Sequence, residues 1–436
     1  MRVFLHTFGC KANQYDTEVV RQRLEAAGCT VVERVATAEV AVVNSCTVTH
    51  VGEAKLRGFV RRIARARPDL RTVVMGCAAG LDDGTIAALP SVEAVVAGAD
   101  AVAVTRALGI GDSGSGVGES ALAAPVSNPQ SPIPNPPLLQ GFANSSRAWL
   151  KIQDGCDEHC TFCATTLARG EQVSRAPDAA VAEARLLALR HAEIVLTGVH
   201  IGTYGRDRGD GWTLGRLAAR LVDAVDGVRF RLSSVEATEV DAELERLMRE
   251  RPDRLAPHLH APLQSGSDRV LRRMGRHWYT VGAYRRRVER LASQVTPLGL
   301  GADVIVGFPG ESDADHRATV QLVEDLPFTY LHVFPYSPRA GTAAPRLGAP
   351  PAPAVVRERS AELRALAVRK ATVHRSARAG GPADLVLETR QAGLAQSLTE
   401  DYLGALVPAE APWVVGRRRV SARLALRDGR LVAVAA

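Results

Sequence analysis

The chain has 436 residues, so about three cores are expected rather than one. Hydrophobic residues make up 46% and charged residues 23%, the balance of an ordinary globular protein. No apolar run reaches the ~18 residues of a membrane helix. The first residues, MRVFLH, lack the apolar core of a signal peptide and read as a strand, so a cytoplasmic protein with no membrane attachment is expected. The net charge of +7 favours an anionic partner, with nucleic acid first. An arginine-rich composition without a partner gives the same charge.

The first hundred residues alternate strand and helix. Residues 3–5 read as a buried strand, and Cys10 follows. Residues 17–27 have helical spacing, with Val20, Leu24 and Ala27 on one face and Gly28 as a stop. Residues 40–43 form a second strand before Cys46. Residues 50–67 form a basic helix, carrying Arg57, Arg61, Arg62 and Arg65 and ended by Pro68. Residues 72–75 are a third strand before Cys77, and 92–96 a fourth. This predicts an open parallel α/β sheet, whose ligands bind beyond the carboxyl ends of the strands. Cys10, Cys46 and Cys77 each follow a different strand and can converge on one metal site; buried packing is the other reading. Cys29 follows a helix instead and reads as a packing residue. Residues 111–146, with Gly-Ser-Gly-Val-Gly and three Asn-Pro or Ser-Pro steps, read as a linker and not as a phosphate loop.

A short strand at 149–152 feeds the densest chemical signal. Cys156, Cys160 and Cys163 stand in C-x-x-x-C-x-x-C spacing, three of only seven cysteines within eight positions. Thiolates suit iron–sulfur clusters, zinc and copper(I). A closed zinc site wants four ligands, and His159 is the sole nearby fourth. A [4Fe–4S] cube on three cysteines keeps one iron open for a ligand, and the ligand count favours it. A disulfide fits neither the odd count nor the absence of an export signal.

Further strands at 194–196, 229–232, 258–260, 303–306 and 329–334 alternate with helices at 177–189, 214–225, 241–249 and 281–291. Six strands predict a partial (β/α)6 barrel with chemistry at its carboxyl-terminal rim. Gly198 there permits close approach of a bound group, and Ser234 and Glu236 can hydrogen-bond a ribose. A helix is expected within 351–375. Short strands at 385–387, 403–407, 413–415, 422–426 and 431–434 then predict a small β-barrel. Arg417, Arg418 and Arg419 give it a basic turn suited to phosphate, and further arginines cluster at 285–287, outside this barrel.

Together these residues resemble the radical S-adenosylmethionine methylthiotransferases. The similarity rests on the 156–163 loop and on TFGCKANQYDTE at 7–18, NSCTVT at 44–49 and MGC at 75–77. It rests also on RLSSVE at 231–236, PLQSGS at 262–267 and VGFPGE at 306–311. NSCTVT and TGVHIGTYG at 197–205 resemble the branch that modifies threonylcarbamoyladenosine in tRNA. After Cys163 the family commonly has two branched apolar residues and a proline; this chain has Ala164, Thr165 and Thr166. Glu171, Gln172 and Val173 replace a basic run.

The resemblance implies an N-terminal domain over 1–104, a linker over 105–146, a radical S-adenosylmethionine core over 147–375 and a TRAM-like RNA-binding barrel over 376–436. It implies two [4Fe–4S] clusters, one on Cys156, Cys160 and Cys163 with S-adenosylmethionine on its open iron, the other on Cys10, Cys46 and Cys77. Phe162 would pack on the adenine, with Gly198, Ser234 and Glu236 positioning the nucleoside. The partners implied are tRNA and a reductant such as flavodoxin or ferredoxin. The expected reaction inserts a methylthio group at carbon 2 of N6-threonylcarbamoyladenosine at position 37. Isopentenyladenosine, a ribosomal-protein aspartate, and a non-catalytic RNA-binding role with structural metal sites are the alternatives.

Overall fold

The computed structural model describes residues 1–47, 50–110, 138–143, 145–391 and 393–435. Val48 and Thr49 of the NSCTVT stretch and residues 111–137 of the expected linker lie outside the described residues.

The N-terminal unit runs β1 (Arg2–Thr7), α1 (Lys11–Ala26), β2 (Thr30–Val32), β3 (Val40–Ser45), α2 (His50–Ala66), β4 (Arg71–Gly76), β5 (Val92–Ala97) and α3 (Ala101–Ala107). Its five strands are parallel in the order β2-β1-β3-β4-β5. The strand order reverses between β1 and β3, and ligands of such sheets gather at that point. The expected sheet lacked β2, a three-residue edge strand too short to show a period. The first helix begins six residues earlier than its apolar spacing suggests. Cys10 occupies the N-cap in extended backbone (φ −85, ψ −178) without a side-chain cap bond. A Ser, Thr, Asp or Asn there would have marked the start. Cys29 is buried among Val3, Val20 and Leu24, in its expected packing role.

The chain returns at 138–143 clamped to both units. Gln22 donates to the Leu138 carbonyl (3.0 Å), and the Leu139 and Phe142 amides donate to Glu183 (3.0 Å) and His191 Nε2 (3.0 Å). The central unit then runs β6 (Arg147–Lys151), β7 (Gln153–Asp154), α4 (Thr165–Arg169), β8 (Val173–Ser174), α5 (Pro177–Ala188), β9 (Glu193–Thr197), α6 (Leu214–Ala224), β10 (Arg229–Leu232) and α7 (Ala242–Glu250). It continues through β11 (His258–His260), α8 (Asp268–Arg273), α9 (Val281–Gln294), β12 (Gly299–Val306), α10 (Asp313–Asp325), β13 (Tyr330–Pro335) and α11 (Pro353–Arg378). Parallel sheets β10-β9-β6 and β11-β12-β13 are joined by parallel bridges at Phe230–Leu255 and Ser234–His260. The six expected strands thus form one open barrel. On β12, Leu300, Ala302, Val304 and Val306 pack into the helix-facing core, so Gly301 and Asp303 turn to the lumen.

The last unit is a closed barrel, β14 (Pro382–Gln391), β15 (Leu394–Leu398), β16 (Gly404–Pro408), β17 (Arg419–Arg427) and β18 (Arg430–Val434), in the order β14-β15-β16-β18-β17. Five strands were expected, but one was misplaced. Trp413 to Val415 is a turn, closed by the Val414 and Val415 amides on the Ala411 carbonyl (2.8 and 3.2 Å). The missing strand is β15. This barrel seals the base of the central one. Arg229 donates to the Asp384 carbonyl (2.8 Å) and Arg231 to the carbonyls of Glu400 (3.0 Å) and Thr399 (2.9 Å). A Cβ on Gly299 would sit 2.1 Å from the Asp401 carbonyl oxygen, so only glycine admits this contact. Among the described residues, no helix is long and apolar enough to cross a membrane.

Candidate active site

The 156–163 loop leaves β7 through Gly155 (φ +68), where a Cβ would meet the Glu171 carbonyl oxygen at 1.8 Å. Backbone bonds then fix its path: the Cys156 amide to the Gly170 carbonyl (3.1 Å), Thr161 to Met274 (2.8 Å) and Cys163 to Cys160 (3.1 Å). The unusual residues after Cys163 take part. The Thr165 amide opens α4 and donates to Cys163 Sγ (3.4 Å), and the Thr166 hydroxyl reaches the Glu158 carbonyl (3.5 Å). All three cysteines are free and partly exposed. Two cationic side chains face them. Arg276 lies 3.6 Å from Cys160 Sγ and His200 Nδ1 lies 3.7 Å from Cys156 Sγ. Burial alone would keep His200 neutral, but Cys156 and Glu239 (3.0 Å) raise its pKa to about 10. Burial pushes the Cys160 thiol up to about 12 against the pull of Arg276.

The second trio forms where the N-terminal strands end. Gly9 (φ +114) brings the turn so close that a Cβ would lie 2.9 Å from Cys46 Cβ. Asn13 knits the trio's supports, donating to Asn44 and the Ser45 carbonyl (both 2.9 Å) and accepting from Cys10 (3.2 Å). Cys10 and Cys46 are both charge neighbours of the buried Cys77, whose thiol burial pushes up to about 11. Cys10, Cys46 and Cys77 thus stand at one edge of the sheet, after β1, β3 and β4.

A buried ion network links the two trios. Arg169, at the end of α4, donates to Cys77 Sγ (3.1 Å), to both Asp154 oxygens (2.9 and 3.0 Å), to Asn13 (3.1 Å) and to Asp16 (2.9 Å). Lys151 bonds Asp154 (2.8 Å) and Asp16. Two cations meet two carboxylates, so the network is neutral as a whole. Although burial opposes it, Arg169 and Lys151 hold the Asp154 carboxyl far below the usual carboxylate range.

On the rim, Arg276 binds Oε1 of buried Glu236, while Oε2 has no partner. Burial raises the pKa of this carboxyl against Arg276. Asp303 projects into the lumen and receives His260 and His332 (both 3.1 Å). The Tyr330 hydroxyl bonds His258 (2.8 Å) and His260 (3.0 Å). At the base, Glu193 takes Arg147, Arg229 and Arg231.

Residues 2–98 match the uncharacterized protein family UPF0004, and residues 150–323 match the radical SAM superfamily. The chain is 39% identical to the threonylcarbamoyladenosine tRNA methylthiotransferase MtaB of Bacillus subtilis (strain 168), over 79% of this chain and 75% of that protein. The chain belongs to the radical S-adenosylmethionine methylthiotransferases. Within this family it is of the MtaB type. A second MtaB, from Thermotoga maritima, is 36% identical over 79% of this chain and 77% of its own length. The tRNA-2-methylthio-N(6)-dimethylallyladenosine synthase of Paracoccus denitrificans is 34% identical over 79% of this chain and 76% of that protein. The radical S-adenosylmethionine methyltransferase TsrM of Kitasatospora setae shares the fold, with a TM-score of 0.56 at 14% identity over 76% of this chain and 72% of that one. Family membership brings a [4Fe–4S] cluster and S-adenosylmethionine as cofactors. The donor set fits such a cluster: three soft thiolates, cationic donors beside two of them, and an orphaned carboxylate oxygen on the rim.

In this methylthiotransferase the residues singled out in the sequence fall in different places. Phe162 leans edge-on against Phe308, at 6.4 Å between ring centres. Ser234 is exposed on the rim and Glu236 buried beneath it. The space at Gly198 is taken by the protein itself, since a Cβ there would lie 2.5 Å from the Gln153 carbonyl oxygen. In the basic turn, Arg419 is bound by Asp384 (2.7 Å) and the Asp253 carbonyl (2.6 Å), and Arg418 donates to the Arg190 carbonyl. Both therefore brace the C-terminal barrel, and Arg417 is left exposed. Arg285 and Arg287 are likewise committed, to Asp325 (2.6 Å) and Glu245 (3.3 Å). Sequence reasoning gave no role to Arg169, Arg276 or His200. Arg169 had one visible signal, its position beside the altered 171–173 run.

Proposed function

We propose that this chain inserts a methylthio group at carbon 2 of N6-threonylcarbamoyladenosine at position 37 of tRNA. The observation that supports the reading is Arg169, which donates to Cys77 of one trio and to Asp154, two residues before Cys156 of the other. Cys156, Cys160 and Cys163 hold the cluster of the radical core, and Cys10, Cys46 and Cys77 hold a second cluster. When bound, these groups and S-adenosylmethionine supply the homolytic chemistry needed at an unreactive C–H bond and the sulfur to be transferred.

The chain's own residues orient and enclose. Arg276 and His200 donate toward Cys160 and Cys156 and fix the loop. The orphaned Glu236 oxygen accepts a ribose hydroxyl or the methionyl ammonium of bound S-adenosylmethionine, with Ser234 beside it and Phe162 against its adenine. Gly198 allows the rim to close on Gln153 behind them. Arg417 contacts tRNA phosphate, while Arg418 and Arg419 hold that barrel in position. The cluster domain covers 1–104, the joining segment 105–146, the catalytic core 147–375 and the RNA-binding barrel 376–436. The enzyme works in the cytoplasm with a reductant such as flavodoxin or ferredoxin.

Nucleoside mass spectrometry of tRNA from a deletion strain tests the reading. Loss of the methylthio form of threonylcarbamoyladenosine is expected. If that nucleoside persists and the methylthio dimethylallyl nucleoside disappears, the branch of the Paracoccus relative is the correct one.

A further inference from the structure

The lumen wall made by β11, β12 and β13 gathers three metal-ligating side chains that neither cysteine trio uses. Strand alternation puts Gly301 and Asp303 of β12 on one face, and Tyr330 and His332 of β13 on the same face. The parallel register pairs Asp303 with His332, and Gly301 with both His260 and Tyr330. Side chains from three strands therefore meet over one patch of sheet. His260 Nε2 and His332 Nδ1 each lie 3.1 Å from the same Asp303 oxygen, Oδ1. One ligand atom from each residue falls within 4.8 Å of the other two.

The two 3.1 Å spacings are those of ligands around one ion. Nitrogen and oxygen ligands at about 2.0–2.2 Å from a metal, set about 90–110° apart, stand about 2.8–3.6 Å from one another. A second observation is the support behind His260. Tyr330 bonds His260 at its other nitrogen, Nδ1 (3.0 Å), and His258 at Nε2 (2.8 Å). With His260 Nδ1 donating to the phenol and the phenol donating to His258, the Nε2 lone pair of His260 is left for an ion. Gly301 makes this support possible, since a Cβ there would lie 1.9 Å from the Tyr330 ring. His260 is buried, whereas the side chains of Asp303 and His332 are 24% and 55% exposed, so the patch opens to the lumen through them.

We propose that His260 Nε2, Asp303 Oδ1 and His332 Nδ1 hold a divalent first-row transition ion, of the class of zinc and manganese. Two imidazoles and a carboxylate suit such ions, whereas the thiolates of the two trios suit softer centres. Three protein ligands leave positions open, as catalytic zinc sites do and closed structural sites do not. Those positions face the lumen and take water or an oxygen of the molecule bound there. The ion is separate from the two proposed clusters and acts by holding an oxygen ligand, not by carrying an electron.

The test titrates manganese(II) into the cluster-reconstituted full chain without oxygen, so that the thiols are occupied. Manganese(II) suits oxygen and nitrogen donors, and the electron paramagnetic resonance signal of the free ion reports what stays unbound. One bound ion per chain is expected, and one equivalent of zinc(II), which such donors hold more tightly, should displace it. His332→Ala removes a side chain that is more than half exposed, so the fold persists, and circular dichroism checks this. It should weaken binding by more than about tenfold, the cost of losing even an outer partner of a metal site, and Asp303→Asn should do the same. Tyr330→Phe keeps the ring and removes the hydroxyl that orients His260, and it should weaken binding by about tenfold to a hundredfold. No saturable binding, or binding that folded His332→Ala leaves unchanged, overturns the site and leaves a plain hydrogen-bonded His–Asp–His set. The readout needs no methylthiolation, so the metal site and the proposed reaction stand or fall separately.

Discussion

Arg169 offers the sharpest test of how the two thiolate trios are held together. In Arg169→Met the side-chain volume stays close but the guanidinium is gone. Asp16 and Asp154, 2% and 0% exposed, then keep Lys151 as a shared counter-charge. Breaking a buried ion pair by removing one partner costs about 3–5 kcal/mol, because the other charge stays desolvated. For a cooperative unit of about 150–250 residues that corresponds to a fall in Tm of roughly 6–20 °C. Differential scanning calorimetry on the apo-protein gives the number without any cluster in play. The decisive variant adds Asp16→Asn, which restores neutrality through Lys151 and Asp154. It should recover more than half of the loss, because the two sites share partners and their effects cannot add. A single variant costing less than about 1 kcal/mol, or a double variant no better than the single, would refute a charge-balanced network.

Four further outcomes follow from residues described above. Replacing Cys10, Cys46 and Cys77 by Ala should halve the iron content of reconstituted protein and abolish methylthio product, yet leave 5′-deoxyadenosine formation measurable; undiminished iron would remove the second site. Arg417→Ala should weaken tRNA binding and lower the salt slope by about one phosphate contact. Arg419→Ala should instead lower thermal stability, since its partners are Asp384 and the Asp253 carbonyl. Burial lowers the His191 pKa from 6.5 to about 4, and the ring accepts the Phe142 amide at Nε2 (3.0 Å) in its neutral form. The unfolded chain binds the extra proton first, so this contribution is whole above pH 6.5 and lost as pH falls toward 4. Urea midpoints for wild type should decline across that window, and the decline should be shallower in His191→Asn.

The features easiest to read from the sequence were those with a strict period or spacing. The buried parallel strands are continuous apolar runs, and Cys10, Cys46 and Cys77 stand at their carboxyl ends, where such sheets bind ligands. The start of α1 was hidden because Cys10 fills the position where a capping side chain would have announced it. In the C-terminal barrel, β15 escaped because its inward residues are Ala395 and Ser397 while Leu394 faces water, the reverse of the usual alternation. Trp413 to Val415 has strand-like composition, but the consecutive Trp413 and Val414 both pack on the barrel core, against the alternation of a strand, and Gly416 (φ +75) ends the segment. The candidate site was legible in its cysteines, by their spacing, and illegible in the residues that support them. Arg169 gathers Asp16, Asp154 and Cys77 from segments far apart in sequence, and no local pattern encodes such a meeting.

The seal between the two barrels has a consequence for how the enzyme can be taken apart. The 399–402 segment lies over Arg231 and Gly299, and Tyr402 covers His258, so part of the catalytic wall is finished by residues from the far end of the chain. A truncation after α11 would not yield an intact catalytic core lacking only the C-terminal barrel. It would open Arg229, Arg231 and Glu193 to water and leave the lumen without a base. Grafting a C-terminal barrel from a relative onto this core therefore requires transplanting the interface on both sides. Measured RNA affinities of such chimaeras will report the fit of that joint as much as the surface of the grafted barrel.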